Sequence, residues 1–186
     1  IRLSLVGSEM CIRDRGNTNT VIAFQDQQDI NSVLVEIPPV TSSPGVIPTA
    51  VWFEEPSKVP KIGISALKMR ENSNSDLFFH SNFKRLIGNP IEKIHQKNIL
   101  NPNECGETFF KFLWASIPEQ YEVKRLILTA PIDTYKGYRE WLVNLCEGIS
   151  VDEIALVDEP TAASLGINVP FGSKIMTLDI GGSTID

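Results

Sequence analysis

Three cysteines, Cys11, Cys105 and Cys146, and two histidines, His80 and His95, are the only thiol and imidazole groups in this chain of 186 residues, and none stands at the spacing of a zinc or iron–sulfur site. Cysteines so few, odd in number and scattered exclude a disulfide framework and point to a reducing compartment, the cytoplasm. Basic side chains are also short: 17 Lys and Arg against 23 Asp and Glu leave a net charge of −6. That field repels phosphate backbones and anionic lipid, so nucleic acid and membrane surfaces are excluded as partners. No apolar run approaches the roughly 18 residues of a membrane span, and no charged start leads into a signal-peptide core. What is present, 42% hydrophobic and 22% charged residues with 12 Gly and 12 Pro, is the make-up of a globular protein folding in water.

The first fifteen residues, IRLSLVGSEMCIRDR, carry no strand alternation or helical stripe that continues into the chain beyond Gly16. Ser4 to Arg15 resembles the in-frame translation of a sequencing adapter, the other reading being an ordinary native strand and turn; on the adapter reading residues 1–15 are set aside as non-native and a first strand is expected to be missing. Two β-rich runs, Thr20 to Phe24 and Ser32 to Ile37, read as an antiparallel hairpin with a long loop. The Pro/Ser/Gly-rich stretch Pro38 to Gly45 breaks the pattern and marks a sub-domain boundary near Gly45, followed by a strand at Thr49 to Phe53 and a polar turn at Glu54 to Pro60. Phe79, Phe83, Leu86 and Ile87 recur at helical spacing, which predicts a short helix over 76–88 stopped by Gly88. A second helix is expected from about Asn103 to Ile117, opened by Pro102.

The last third alternates regularly. Strands are expected at Leu126 to Leu128, Ile154 to Val157 and Ile175 to Leu178. Helices are expected around Tyr138, Trp141, Leu142 and Leu145 and over Thr161 to Ile167. The pattern predicts an α/β fold: a mixed sheet with parallel βαβ units and helices on its faces, made by 16–45 and 119–186, with a smaller α+β sub-domain, 46–118, inserted. Ligands of such sheets lie beyond the carboxyl ends of the strands, here Thr129-Ala130-Pro131, Asp158-Glu159-Pro160 and Asp179 to Thr184.

The strongest local signal is the run Asp179-Ile180-Gly181-Gly182-Ser183-Thr184-Ile185-Asp186, where a strand ends in a carboxylate and turns on two glycines. Successive N–H groups in such a turn form a nest for an anion, and a carboxylate beside phosphate requires a divalent cation between them, which implies Mg²⁺. A tight turn capped by Asp179 is the other reading. Gly16-Asn17-Thr18-Asn19-Thr20 offers similar ingredients, or is a polar turn before a strand. Glu159, at a strand end and a helix start, either complements the helix N-terminus or orients a water for attack on phosphorus. Lys84 and Arg85 fall outside their apolar stripe, which favours solvent over a phosphate contact. Trp114 and Trp141 read as core, and neither histidine as a ligand.

In this order the motifs resemble the nucleotide-binding domain of the heat-shock protein 70 family, within the actin-like ATPase superfamily, over nearly all of Gly16 to Asp186. Gly16 to Val21 looks like the first phosphate loop, Pro48 to Val51 like the strand that follows it, and Lys84-Arg85-Leu86-Ile87-Gly88 matches the KRLIG segment. Pro131 and Arg139 stand at the family's separation, Asp158 to Ala163 is close to its connecting motif, and Asp179 to Asp186 resembles the second phosphate loop. The resemblance implies an actin-like, ribonuclease H-like lobe that binds ATP/ADP with Mg²⁺ and K⁺. It implies that Lys84, Glu159 and Asp179 are catalytic: Lys84 contacts the γ-phosphate, Glu159 positions the attacking water and Asp179 holds the water shell of Mg²⁺. Gly16, Asn17, Thr18, Asn19, Gly181, Gly182, Ser183 and Thr184 would cradle phosphate. Asp14, Asp179 and Asp186 would lie beside the metal, and Pro131 and Arg139 would relay nucleotide state toward a substrate domain.

Three residues depart from the family pattern. Asn17 replaces a threonine hydroxyl, Ser183 replaces a third glycine, and Asp14 falls inside the set-aside segment. The implied parent is a chaperone ATPase whose nucleotide state governs its grip on unfolded polypeptide clients, with co-chaperones as further partners. The second lobe and any peptide-binding domain are expected to lie outside the chain, which alone is expected to be inactive. An actin-like filament protein and a small-molecule kinase share the phosphate loop. The KRLIG and EPTAA segments favour the chaperone.

Overall fold

A computed structural model describes residues 9–15, 18–26, 31–54, 59–89, 100–130, 136–166, 172–174 and 176–177, with the backbone alone at 9–15 and 136. Two sheets organise them. The larger has six strands: β1 (Glu9–Arg15), β2 (Asn19–Gln25), β3 (Val33–Leu34), β4 (Val46–Pro48), β8 (Arg125–Ala130) and β9 (Glu153–Asp158), in the order β3-β2-β1-β8-β9 with β4 also on β2. The smaller comprises β5 (Ala50–Trp52) between β6 (Lys61–Ile62) and β7 (Phe79–Ser81). The chain crosses from one sheet to the other at Thr49, four residues beyond the expected boundary at Gly45.

β2 illustrates why these segments are strands. Thr20, Ile22 and Phe24 alternate into the core while their neighbours stay half-buried, the period of a one-sided sheet strand rich in β-branched residues. The predicted hairpin forms, since β3 pairs antiparallel with β2 at Ala23 with Leu34 and Phe24 with Val33. Its second arm is shorter than expected. β8 and β9 run parallel in register from Arg125 with Glu153 to Ala130 with Asp158, as the alternating pattern predicts.

The expectation that the stretch before Gly16 carries no strand is corrected. β1 is the middle of the large sheet, antiparallel to β2 over seven residue pairs and parallel to β8 from Glu9 with Arg125 to Ile12 with Leu128. The physical reason lies in its neighbours: an empty slot between β2 and β8 would leave two rows of backbone N–H and C=O groups unpaired. The expected missing first strand is therefore supplied by this segment.

Helices α1 (Gly63–Glu71), α2 (Pro102–Ala115), α3 (Lys136–Cys146) and α4 (Glu159–Gly166) complete the described fold. α2 begins where Pro102 predicts. Asn101 caps it reciprocally, accepting from the Glu104 N–H at 3.0 Å while its own N–H donates to Glu104 Oε2 at 2.8 Å. Its face of Cys105, Phe109, Phe110 and Leu113 joins Ile22, Phe24, Leu126, Leu128 and the α3 residues Tyr138, Leu142 and Cys146 in one core. Trp114 and Trp141 pack against that core, as expected.

The helix predicted over 76–88 does not form. Phe79–Ser81 is the strand β7, Asn82 turns the chain at φ 57°, and only Lys84–Leu86 coils, as a single 3-10 turn. The spacing of Phe79, Phe83 and Leu86 imitated a helix, but Phe79 pairs with Trp52 across the small sheet. α1 has no apolar stripe to announce it; it is docked instead by its first residues, with Gly63 at φ 59° and the Ile64 N–H donating to Val40 O at 2.9 Å. Of the strand expected at 175–178, Met176 and Thr177 are described and belong to no strand, while Ile175 and Leu178 lie outside the described residues.

Candidate functional site

Parallel β1, β8 and β9 end at one edge of the large sheet. Ala130 pairs with Asp158 there, while Arg15, at the end of β1, pairs with Asn19 at the start of β2. Glu159 follows at once as the first residue of α4. Thr129 on β8 and Thr20 on β2 are buried near the same edge. The small sheet is stitched on here too: Thr49 donates its N–H to Thr18 O at 2.8 Å, and the Thr20 and Thr49 hydroxyls are 3.0 Å apart.

Into this edge the 3-10 turn delivers Lys84. Phe83 anchors the turn, packing edge-on against Phe109 at 6.3 Å between centroids. Ile87 is buried beside it, and the Gly88 N–H donates to Asn103 Oδ1 at 2.9 Å. Lys84 Nζ then donates to Glu159 Oε1 at 3.1 Å, joining residues 75 apart in sequence. Both side chains are almost wholly buried, 8% and 6% exposed. The reading of Lys84 as a solvated side chain is thus overturned, because the turn that carries it faces the core. Arg85 remains exposed, as expected.

Two further contacts frame the pair. Lys84 Nζ lies 5.7 Å from the Tyr138 ring centroid, and Arg139 pairs with Asp158, the residue before Glu159. A cavity of about 60 Å³ sits behind them, with Thr20, Thr49, Lys84 and Thr129 as its polar wall and residues such as Phe109, Leu128 and Trp141 as its apolar one. An ammonium that shares a cavity wall with three threonines can meet an anionic oxygen there, and a carboxylate beside it can hold a water or take a proton.

Of the residues predicted for the site, the fold brings Lys84, Glu159 and Arg139 together, with Thr18 and Asn19 at the same sheet edge. Asp14 is paired through its backbone with Thr20 on that edge. Gly16, Asn17, Pro131, Asp179, Gly181, Gly182, Ser183, Thr184 and Asp186 lie outside the described residues. Thr177, two positions before Asp179, shares a hydrogen bond of 2.6 Å with Ser164 on α4, so the approach to that segment lies beside the helix that Glu159 opens. Among the described residues no three His, Cys, Asp or Glu side chains cluster as a metal site. Sequence reasoning placed Thr129 and Asp158 at the ligand edge without giving either a role, and did not single out Thr49 or Tyr138 as site residues. A hydroxyl in a strand and an aromatic on a helix face carry no signal of their own until pairing fixes their neighbours.

His80 is buried, its Nε2 has no hydrogen-bond partner among the described residues, and burial lowers its pKa from the ordinary 6.5. It stands on the small sheet opposite Val51, and the cavity lining does not include it. Burial pushes the Cys105 thiol up to about 12, with Glu104 adding to the effect, and raises Cys146 as well. Both are inert core thiols. No described helix is long and apolar enough to cross a membrane.

No protein-family model matches the chain. Among curated proteins it is similar to the chaperone protein DnaK of several bacteria. The relative from Metamycoplasma hominis is 26% identical over 183 residues, that from Mycoplasmopsis synoviae 25% over 178, and that from Thermosipho melanesiensis 28% over 179. Each alignment covers 93% of this chain but only 28–29% of the relative, so the chain spans little more than a quarter of the length of the proteins it matches. The resemblance to the heat-shock protein 70 family is therefore found along almost the whole chain.

Proposed function

We propose that this chain is the first lobe of the nucleotide-binding domain of a heat-shock protein 70-type chaperone, a lobe of the actin-like, ribonuclease H-like kind. The observation that carries the proposal is the buried Lys84–Glu159 pair, 3.1 Å apart, at the carboxyl edge of the parallel strands. A sheet ordered β3-β2-β1-β8-β9 with β2 antiparallel to its neighbours supports the fold, and the DnaK similarity favours a chaperone over a filament protein or a sugar-type kinase. In this reading 16–45 and 119–186 form the core sub-domain and 46–118 the insertion, with Val46–Pro48 still paired to β2 in the core sheet before the chain crosses at Thr49. The adapter origin of residues 1–15 is kept, and mass spectrometry of the native N-terminus decides it.

The donors fit a polyphosphate: the Lys84 ammonium, the Thr20, Thr49 and Thr129 hydroxyls and the backbone around Thr18 and Asn19 all gather at one edge. Lys84 exchanges Glu159 for the terminal phosphate of ATP and stabilises charge on its oxygens. Glu159, released from that ion pair, orients the attacking water. Gly16, Asn17 and the segment from Gly181 to Thr184 would cradle phosphate oxygens with their N–H groups. Asp179 and Asp186 would hold Mg²⁺, which neutralises phosphate charge when bound, with K⁺ near Asp186; Asp14 matches the family's first metal-side aspartate by position only, since it falls inside the segment of proposed adapter origin. Pro131 and Arg139 would pass the nucleotide state to a client-binding domain, and clients and co-chaperones are the partners.

The test is Glu159→Ala in the full-length protein. Single-turnover hydrolysis should fall by about 100-fold or more while Mg-ATP affinity changes little. Equal loss of both would sink the assigned role.

A further inference from the structure

Besides the Glu159 carboxylate, an aromatic ring lies against the Lys84 ammonium. Tyr138 is buried in the first turn of α3, with its centroid 5.7 Å from Lys84 Nζ, within the roughly 6 Å at which a ring face attracts a cation. The contact is built by the backbone. Gly88, two residues past the 3-10 turn, has φ 78°, and a Cβ there would meet Gly137 C at 2.4 Å; a Cβ on Gly137 would meet Gly88 O at 2.4 Å. Two glycines therefore let the Lys84 loop and the start of α3 cross at backbone distance, and that crossing sets Tyr138 against the ammonium. The next residue, Arg139, pairs with Asp158 beside Glu159. One turn of α3 thus touches the Lys84 loop and the Glu159 loop with consecutive side chains.

We propose that Tyr138 is a positioning residue for Lys84, seated by the Gly88–Gly137 crossing, and that its ring keeps the ammonium in place while Lys84 changes partner from Glu159 to phosphate. A carboxylate partner must be surrendered when phosphate arrives, whereas an aromatic face attracts the cation whichever anion it serves. The ring therefore limits the conformational freedom that Lys84 would gain between the two states. The inference rests on the proposed phosphate role of Lys84, but the contact itself is measurable without nucleotide.

The experiment uses the full-length protein with ¹³C-labelled lysine, as wild type, Tyr138→Phe, Tyr138→Leu and Lys84→Met, the last to assign the Lys84 signal. Without nucleotide, the Lys84 ε-methylene protons should be shifted upfield by the ring in wild type and in Tyr138→Phe, and should return toward ordinary lysine values in Tyr138→Leu. With Mg-ATP, Tyr138→Leu should lower kcat roughly three- to tenfold with KM changed less than twofold, and Tyr138→Phe should retain most of the wild-type kcat. An unshifted Lys84 signal in wild type overturns the proposal even if Tyr138→Leu fails to fold. So does a Tyr138→Phe variant as impaired as Tyr138→Leu, since the hydroxyl or the packing would then be responsible. If Lys84→Met leaves ATP turnover intact while the upfield shift is present, the phosphate role of Lys84 fails and the ring contact stands as a purely structural one.

Discussion

Replacing Lys84 by Met removes one half of a buried ion pair and leaves Glu159, 4% exposed, without its cation. At 3.1 Å and an effective dielectric of about 20 the lost attraction is about 5 kcal/mol, against which the wild type already spends several kcal/mol of desolvation on each ion. The stranded carboxylate keeps that penalty. Lys84→Met alone should therefore destabilise the protein by about 3–5 kcal/mol, and Glu159→Leu alone by a similar amount. The double variant Lys84→Met/Glu159→Leu replaces both ions with apolar groups and should regain most of the summed loss, giving a coupling energy of about 3 kcal/mol or more. Urea denaturation of the four proteins at pH 7.5, with unchanged m-values, supplies the cycle. Single losses below about 1 kcal/mol, or a double variant equal to the sum of the singles, would refute the buried pairing.

Three further outcomes are expected. His80, with its pKa lowered by burial, binds a proton less readily folded than unfolded. Stability from its neutral form is thus complete above its ordinary pKa of 6.5 and is lost as pH falls from there toward the lowered folded value. The urea midpoint should drop between pH 7.5 and 5.5 and drop less in His80→Leu; parallel drops would exclude His80 as the cause. Cys105, raised to about 12, and Cys146 should resist thiol reagents at pH 8 until the protein unfolds, read by mass spectrometry of the labelled peptides; rapid native labelling would contradict their burial. Gly88→Ala puts a Cβ 2.4 Å from the Gly137 carbonyl carbon at φ 78° and should cost about 2 kcal/mol or more in a denaturation midpoint, whereas a neutral effect would mean that the two backbones do not cross so closely.

The sequence was most legible where one physical signal ruled. Pro102 opens α2 where the helix was expected, and the β-rich run Thr20 to Phe24 is β2. It misled where the signal was short: three aromatic and aliphatic residues at helical spacing hid a strand and a 3-10 turn, because pairing with Trp52 outweighed local periodicity. β1 was missed because its role depends on the neighbours it separates.

Within the site, motif order named Lys84 and Glu159 as functional, yet nothing along the chain says that residues 75 apart are bonded. The Thr20–Thr49 hydroxyl pair, the Tyr138 ring and the Gly88–Gly137 crossing are products of tertiary contact, so no local reading could find them. Arg139 was named as a relay, but its partner Asp158 emerges only when α3 is laid against the end of β9.

The most direct test of the central claim is a crystal structure of the full-length protein with Mg²⁺ and a non-hydrolysable ATP analogue. The Lys84 ammonium should have left Glu159 for an oxygen of the terminal phosphate at about 2.7–2.9 Å, with the Glu159 carboxylate turned toward the water in line with that phosphorus. A nucleotide bound elsewhere, with the Lys84–Glu159 bond still closed, would contradict the account.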